Sequence, residues 1–215
     1  SKMGGTDSSG SSNSEQGSGS TGDSSASTEK YQIQNNAVLL RNTSDIDWNE
    51  LQNQAENLYK SWTTITLDLN TMNVTSDDIL AYNTNLDNLM VSLKEKNKVN
   101  SAICLANMYS LIPKYTNEIS NDTAKSKLES VKSNIIFAYS IVETDRWDDV
   151  LKLLGQAETD LTELMTMKEN LSTMRKPKIN KAYVLLKELI KSSNDKNVDI
   201  FYLKYINLIE ELDNL

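Results

Sequence analysis

Hydrophobic residues recur at alternating spacings of three and four along most of the chain after residue 45, as in amphipathic α-helices. The longest of these stripes has seven apolar positions: Trp48, Leu51, Ala55, Leu58, Trp62, Ile65 and Leu69. These seven positions match a heptad seam and predict a first helix. Residues 43–45, Thr-Ser-Asp, supply capping side chains ahead of this helix.

Six further stripes with the same period each predict another helix. Their first and last apolar positions are Ile79 and Leu93, Cys104 and Ile119, Ala124 and Val142, Trp147 and Leu171, Ile179 and Ile190, and Val198 and Leu212. Residues 144–145, Thr-Asp, are expected to open the fifth helix. Pro113 lies inside the third stripe and predicts a kink or break near Ile112. The first and fifth helices are predicted to be the longest, at about 27 residues each.

The pattern predicts an all-α fold of about seven antiparallel helices, because the connections between the stripes are short. The helices would form either a bundle or stacked helical hairpins, and residues 45–215 would make one domain. After residue 29 the chain contains only Gly155, Pro113 and Pro177 as glycine or proline. These are too few for the turns of a many-stranded β fold. Pro177 suits the first turn of the sixth helix.

The N-terminal region has a different composition, with eleven Ser and six Gly in residues 1–29 and only Met3 and Ala26 as apolar side chains. Such a segment cannot offset its ordering entropy by burial, so it is predicted to be a disordered tether with a mean span of roughly 30 Å. Residues 30–44 follow as an extended lead-in. They are apolar enough to pack on the domain surface but lack helical spacing.

Charge and composition exclude several classes of function. The net charge is −8, of which residues 1–29 carry −3, and the predicted domain therefore lacks the basic surface that nucleic acid binding needs. No apolar run reaches the roughly 18 residues of a transmembrane helix. The chain has no His and only Cys104, which excludes Cys/His zinc sites and Ser–His or Cys–His nucleophile pairs. We expect no cofactor, and we expect Cys104 to be buried on its apolar stripe.

Two segments resemble EF-hand calcium loops in the spacing of their oxygen ligands. In the first, Asp45, Asp47 and Asn49 are followed by Glu50 at the position where the loop needs Gly. The second runs from Asp195 and has Ile200 at that position. We therefore interpret both groups of acids as complementing helix N-termini and predict no metal site.

Paired carboxylates at residues 77–78 and 148–149 fall in the first turns of predicted helices, where they favour the positive end of the helix dipole. They are not expected to form a catalytic pair. A basic cluster at one connection is the candidate partner contact: Arg175, Lys176, Lys178 and Lys181. It could bind an anionic lipid, a wall polymer or a partner protein. The alternative is ordinary solvated surface.

One segment resembles a single tetratricopeptide hairpin. The residues that carry the resemblance are Ala138-Tyr139, Arg146-Trp147-Asp-Asp-Val150 and Ala157. The resemblance implies that small and aromatic side chains of one helix pack on the next after an acidic turn. It covers about 20 residues and does not recur with the 34-residue period of that family.

The N-terminus resembles the mature part of a bacterial surface lipoprotein of the Gram-positive type. Ser1-Lys2-Met3-Gly4-Gly5 and the Ser/Gly-rich run to Glu29 match the spacer that follows the lipid-modified Cys in that class. The resemblance implies a lipid anchor upstream of Ser1 and a membrane-anchored, extracytoplasmic location at the cell surface. It implies no activity.

We expect a non-enzymatic helical module that binds a protein or cell-wall polymer through a helix face or groove. The alternative is a small-ligand-binding or enzymatic domain with a cleft built from Trp, Tyr and carboxylate side chains. The two differ in one structural feature, since the alternative requires a pocket that contains ionised groups with shifted pKa values.

Overall fold

The computed structural model describes residues 46–72, 74–167 and 175–215, with only the backbone given for Arg175. The predicted tether (1–29) and lead-in (30–44) lie outside the described residues, as do Asp45 and Leu171. Within the described ranges all regular structure is helical, which confirms the predicted all-α fold.

The helices follow one another with short connections. They are α1 (Trp48–Thr71), α2 (Ser76–Lys94), α3 (Lys98–Ser110), α4 (Ile112–Ser120), α5 (Thr123–Ile141), α6 (Trp147–Thr166), α7 (Arg175–Asn194) and α8 (Val198–Asp213), with a 3-10 turn at Val142–Thr144. The break predicted near Ile112 is confirmed, because the third predicted helix is divided into α3 and α4 with Pro113 in the first turn of α4.

Three details of the predicted helices are wrong. Helix α1 begins after residues 43–45, because the side chain of Asp47 is its N-cap and accepts the Glu50 N–H at 3.0 Å. Helix α6 has 20 residues rather than about 27, since the backbone turns extended at Met167. Asp145 does not cap α6. It takes a left-handed conformation (φ 61°), and its carboxylate accepts a hydrogen bond from Trp147 Nε1 at 3.1 Å.

The hydrophobic core has two parts. Residues of α1 to α4 and Val74 form one cluster, and residues of α5 to α8, together with Val142, form the other. Helices α3 and α5 pack together between the clusters, and Ile103 of α3 contacts the second cluster. Two polar contacts span the same boundary: Lys98 to Glu143 at 2.7 Å and the Tyr109 hydroxyl to Glu129 at 2.7 Å.

The hairpins α2–α3 and α7–α8 close with the same turn, 100 residues apart in the sequence. Lys96 and Lys196 both have positive φ, at 54° and 52°. The following residues, Asn97 and Asn197, are N-caps whose side chains each accept a backbone N–H at 3.0 Å. The backbone N–H of Asn97 donates to the Ser92 carbonyl at 2.9 Å, and that of Asn197 donates to the Ser192 carbonyl at 3.1 Å. This is a Schellman-like helix end joined directly to a capped helix start.

Burial repeats at the same offset, which makes the two hairpins matched units of the fold. The equivalent buried pairs are Ile79 and Ile179, Leu86 and Leu186, Leu89 and Leu189, Ala106 and Ile206, and Met108 and Leu208. Helices α5 and α6 form a third hairpin between them, with Asp145 at the positive-φ position. The tetratricopeptide resemblance falls on this third hairpin and remains a prediction.

We expect Asn97→Ala and Asn197→Ala each to lower the free energy of unfolding by about 1 kcal/mol, because each removes an N-cap. Urea unfolding followed by circular dichroism measures the loss. Asn180→Ala is the matched control, since Asn180 is an exposed position inside α7 where Ala is favourable. Equal stabilities for the two cap variants and wild type would contradict the role assigned to this turn.

Candidate binding groove

Helix α1 carries two apolar stripes, and one of them is buried more deeply than the other. Trp48, Ala55, Trp62 and Leu69, spaced seven residues apart, are all buried. The intervening stripe is half-buried at Leu51 and Leu58 and exposed at Ile65 (41%). The helix predicted from this heptad seam is confirmed, and Leu51 and Leu58 pack against the buried cluster of α1 to α4 while Ile65 is exposed. Because α1 packs mainly against α2, its second stripe is less deeply buried than the first.

The half-buried stripe of α1 borders a groove with a volume of about 410 Å³. Ile46 and the first three turns of α1 form part of it, and the rest comes from α2, α3, α5 and α8. The lining residues are Ile46, Trp48, Leu51, Gln54, Ala55, Leu58, Leu89, Leu93, Lys98, Ser101, Ala102, Leu105, Ile136, Tyr139 and Tyr205. Leu105 is 47% exposed, so the groove opens to solvent along α3.

Tyrosine rings connect α5 and α8 where they line the groove. The rings of Tyr139 and Tyr205 are stacked with centroids 4.4 Å apart, and Tyr202 meets Tyr139 edge-on at 5.6 Å. Burial raises the pKa of both Tyr139 and Tyr205 well above the ordinary value. Both phenols therefore stay neutral at physiological pH and offer the groove an aromatic, uncharged surface.

Lys98 is the cation that lines the groove, and it is already engaged by neighbouring groups. Its ammonium group lies 2.7 Å from the Glu143 carboxylate and 5.4 Å from the Tyr202 ring centroid. Among the described residues that line the groove there is no carboxylate. This part of the lining therefore supplies apolar binding surface with a few polar groups and offers no acid–base pair.

The paired carboxylates lie in the first turns of α2 and α6, as predicted, but Asp78 does more than complement a helix dipole. Asp78 is buried, pairs with Lys114 at 2.8 Å and accepts the Thr75 hydroxyl at 2.7 Å. The Tyr115 hydroxyl donates to its backbone carbonyl at 2.8 Å. These contacts attach α4 to the start of α2 and serve the fold.

The calcium-like segments are helix caps where the structure describes them. Asp47 caps α1, and Asn197 caps α8 by accepting the Ile200 N–H at 3.0 Å. Within residues 46–72, 74–167 and 175–215, no cluster of three or more Cys, Asp or Glu side chains could hold a metal ion.

The predicted basic contact lies at the start of α7. Lys181 pairs with Glu211 of α8 at 2.9 Å, and the Lys178 ammonium group is 3.5 Å from the Asn214 carbonyl. Lys176 is exposed, and the side chain of Arg175 lies outside the described residues. Two of the four cations therefore bind the C-terminal end of α8, where positive charge is favourable. A contact with an anionic partner remains a prediction.

The single thiol and the three tryptophans are buried, as predicted. Cys104 is 8% exposed, and burial raises the pKa of its thiol, so it is a packed small side chain. Trp62 stacks on Tyr82 with ring centroids 3.8 Å apart. Trp48 combines burial in the core with a place on the groove, which the sequence pattern did not indicate.

Comparison with known proteins shows no matching family model, no similar curated protein and no similar solved structure. Within the part of the chain that the structure describes, no helix is both long and apolar enough to cross a bilayer.

We expect stability to fall as the pH drops below about 4, the ordinary pKa of an unfolded Asp, because Asp78 must then be protonated. Hydrogen bonds from Lys114 and then Thr75 hold the pKa of Asp78 below its usual value. Its contribution is therefore complete above the unfolded pKa and disappears as the pH falls through the folded one. Urea midpoints at about pH 6 and about pH 3 measure the loss.

In this experiment the Asp78→Asn variant should be less stable than wild type at the higher pH. It should also lose less stability than wild type when the pH is lowered. Asp77→Asn is the control, because Asp77 is the exposed neighbour in the same helical turn. If Asp78→Asn and wild type showed the same acid dependence, the Asp78–Lys114 pair would not be the cause.

Proposed function

We propose that this chain is a non-enzymatic binding module whose groove holds an uncharged, aliphatic peptide segment of a partner protein. The observation that carries the proposal is the second apolar stripe of α1. Leu51 and Leu58 line the groove and are only half-buried, and Leu105 on α3 is exposed beside them. Contiguous exposed apolar surface in a folded protein marks a binding site.

The chemistry of the lining favours an aliphatic occupant. Apolar and aromatic side chains predominate, and the cation at Lys98 is already neutralised by Glu143. A charged segment would lose its hydration without gaining an opposite charge. The groove follows α1 from Trp48 to Leu58, about 15 Å at 1.5 Å per residue, which suits several residues of a peptide.

The volume of about 410 Å³ also falls in the range of small-molecule sites, and this favours a small apolar ligand as the second candidate. The enzymatic form of that alternative has less support, because the described part of the groove lining includes no carboxylate. The tryptophan and tyrosine part of the predicted cleft corresponds to Trp48, Tyr139 and Tyr205, so the aromatic half of the alternative fits the groove.

We further propose that the module is displayed outside the cell on a lipid-anchored tether. The Ser/Gly composition of residues 1–29 and the resemblance to mature lipoproteins support this placement. A flexible spacer keeps the module near the membrane while leaving it free to reach a partner. Mass spectrometry of the native N-terminal peptide tests the anchor, since a diacylglycerol-modified Cys ahead of Ser1 is expected.

The basic residues at the start of α7 are proposed as a separate anionic contact with cell-wall polymer or lipid. Lys176 is the best candidate, because it is exposed and lies beside two cations that already bind α8. The attraction would be electrostatic and would weaken with added salt.

We expect the full chain to bind a fluorescein-labelled peptide with four consecutive Leu or Ile residues between Ser–Gly flanks. Leu105→Asp should weaken this binding about tenfold or more, because a charge replaces a leucine on the groove. Fluorescence anisotropy gives the dissociation constants. A peptide with its two central residues replaced by Asp should bind no better to wild type than to Leu105→Asp.

Leu203→Asp is the matched control for the same titration. Leu203 is an exposed leucine on α8 (54%), comparable with Leu105 (47%), and does not line the groove. Its substitution should leave peptide binding unchanged. Equal losses in Leu105→Asp and Leu203→Asp, or none in either, would exclude the groove as the binding site.

A further inference from the structure

We propose that residues 37–40 of this chain, Ala-Val-Leu-Leu, occupy the groove, and that a partner segment must displace them. The regulatory part of this inference rests on the proposed function, because it assumes that partners use the same groove. The occupancy itself rests on where the chain enters the fold, how far the preceding residues reach and what they contain.

The chain enters the described fold at the groove. Ile46 is the first residue that the structure describes, and it is a lining residue together with Trp48. The segment that precedes Ile46 therefore starts at the rim of the groove. Any apolar residue close upstream is tethered within a few residues of the apolar lining of the groove.

The reach of this segment matches the length of the groove. Leu40 is six residues before Ile46, a distance of at most about 20 Å in an extended chain. The part of α1 that lines the groove, Trp48 to Leu58, is about 15 Å long. Residues 41–45, Arg-Asn-Thr-Ser-Asp, are polar and include the Asn, Ser and Asp that favour turns. A chain that reverses there can lie along α1.

The chemistry of residues 37–40 matches the lining. They form the longest uninterrupted apolar run ahead of Ile46, and none of them is charged. The groove offers the half-buried Leu51 and Leu58 and the exposed Leu105 as aliphatic surface, with its lysine already paired. Contact between the two removes both apolar surfaces from water, which is the dominant favourable change on association.

This arrangement makes the groove self-occupied. A segment attached six residues away has a high effective concentration at the groove, so it competes with any free ligand. A partner binds only the fraction of molecules whose groove is open, and its apparent affinity is reduced by that fraction. The proposed occupant is the chain's own segment rather than that of a second copy, because the connection to Ile46 is short.

Alkylation of a single thiol on the groove tests the occupancy without any ligand. The full chain carries Leu105→Cys in a Cys104→Ala background, and the rate of modification by N-ethylmaleimide is measured. Val38→Asp with Leu40→Asp should raise that rate about tenfold, the change expected if the segment covers the groove about 90% of the time. Asn35→Asp with Asn36→Asp adds the same charge just upstream and should leave the rate unchanged.

A thiol outside the groove provides the matched site. Leu203→Cys in the same background should react at the same rate with or without the two substitutions at residues 38 and 40. Circular dichroism and the thermal midpoint check that every variant is folded. An unchanged rate at Leu105→Cys would overturn the proposal. Protection that depended on protein concentration would also overturn it, because a second copy would then supply the segment.

The labelled aliphatic peptide separates this inference from the proposed function. If both hold, Val38→Asp with Leu40→Asp raises the peptide affinity about tenfold, and Leu105→Asp abolishes the gain. Suppose instead that peptide binding depends on Leu105 while the substitutions at residues 38 and 40 change neither the peptide affinity nor the alkylation rate. In that case self-occupancy is wrong and the proposed function stands. If alkylation responds but no peptide binds in any variant, occupancy stands and competition with a partner is wrong.

Discussion

Short connections oblige each helix of this fold to cover its apolar stripe with the next helix in the sequence. The turn at Lys96–Asn97, repeated at Lys196–Asn197, reverses the chain within a few residues and fixes an antiparallel partner. Helices in the middle of the chain have a neighbour on each side. Helix α1 is the first described element and has one main neighbour, α2, so its second stripe is only half-buried at Leu51 and Leu58.

The pattern of apolar residues was sufficient to predict the helices, the all-α class and the break at Pro113, because these depend on local spacing and backbone chemistry. It was insufficient for the helix ends. Asp145 illustrates the reason. In the sequence it resembles a helix cap, but its carboxylate accepts a hydrogen bond from the Trp147 indole and its backbone is left-handed. Such a choice is decided by tertiary contacts that spacing does not encode.

The groove could not be predicted, because Leu51 and Leu58 are chemically identical to the leucines of a core seam. Only the number of helices packed on α1 distinguishes the two stripes, and that number is a property of the tertiary fold. The repeated turn, by contrast, had a signal in the sequence. An acid followed by Lys and Asn, Glu95-Lys96-Asn97 and Asp195-Lys196-Asn197, occurs 100 residues apart and would have been found by an internal comparison.

The division of the core into two clusters gives the halves of the molecule different cohesion. The cluster of α5 to α8 has twenty buried residues, whereas the cluster of α1 to α4 has twelve. Local opening in proteins begins where few buried contacts must be broken. The smaller cluster is therefore expected to open before the larger one, and such opening would expose Trp48 and Trp62 of α1. Because α1 lines the groove, the same opening would widen the groove for a larger guest.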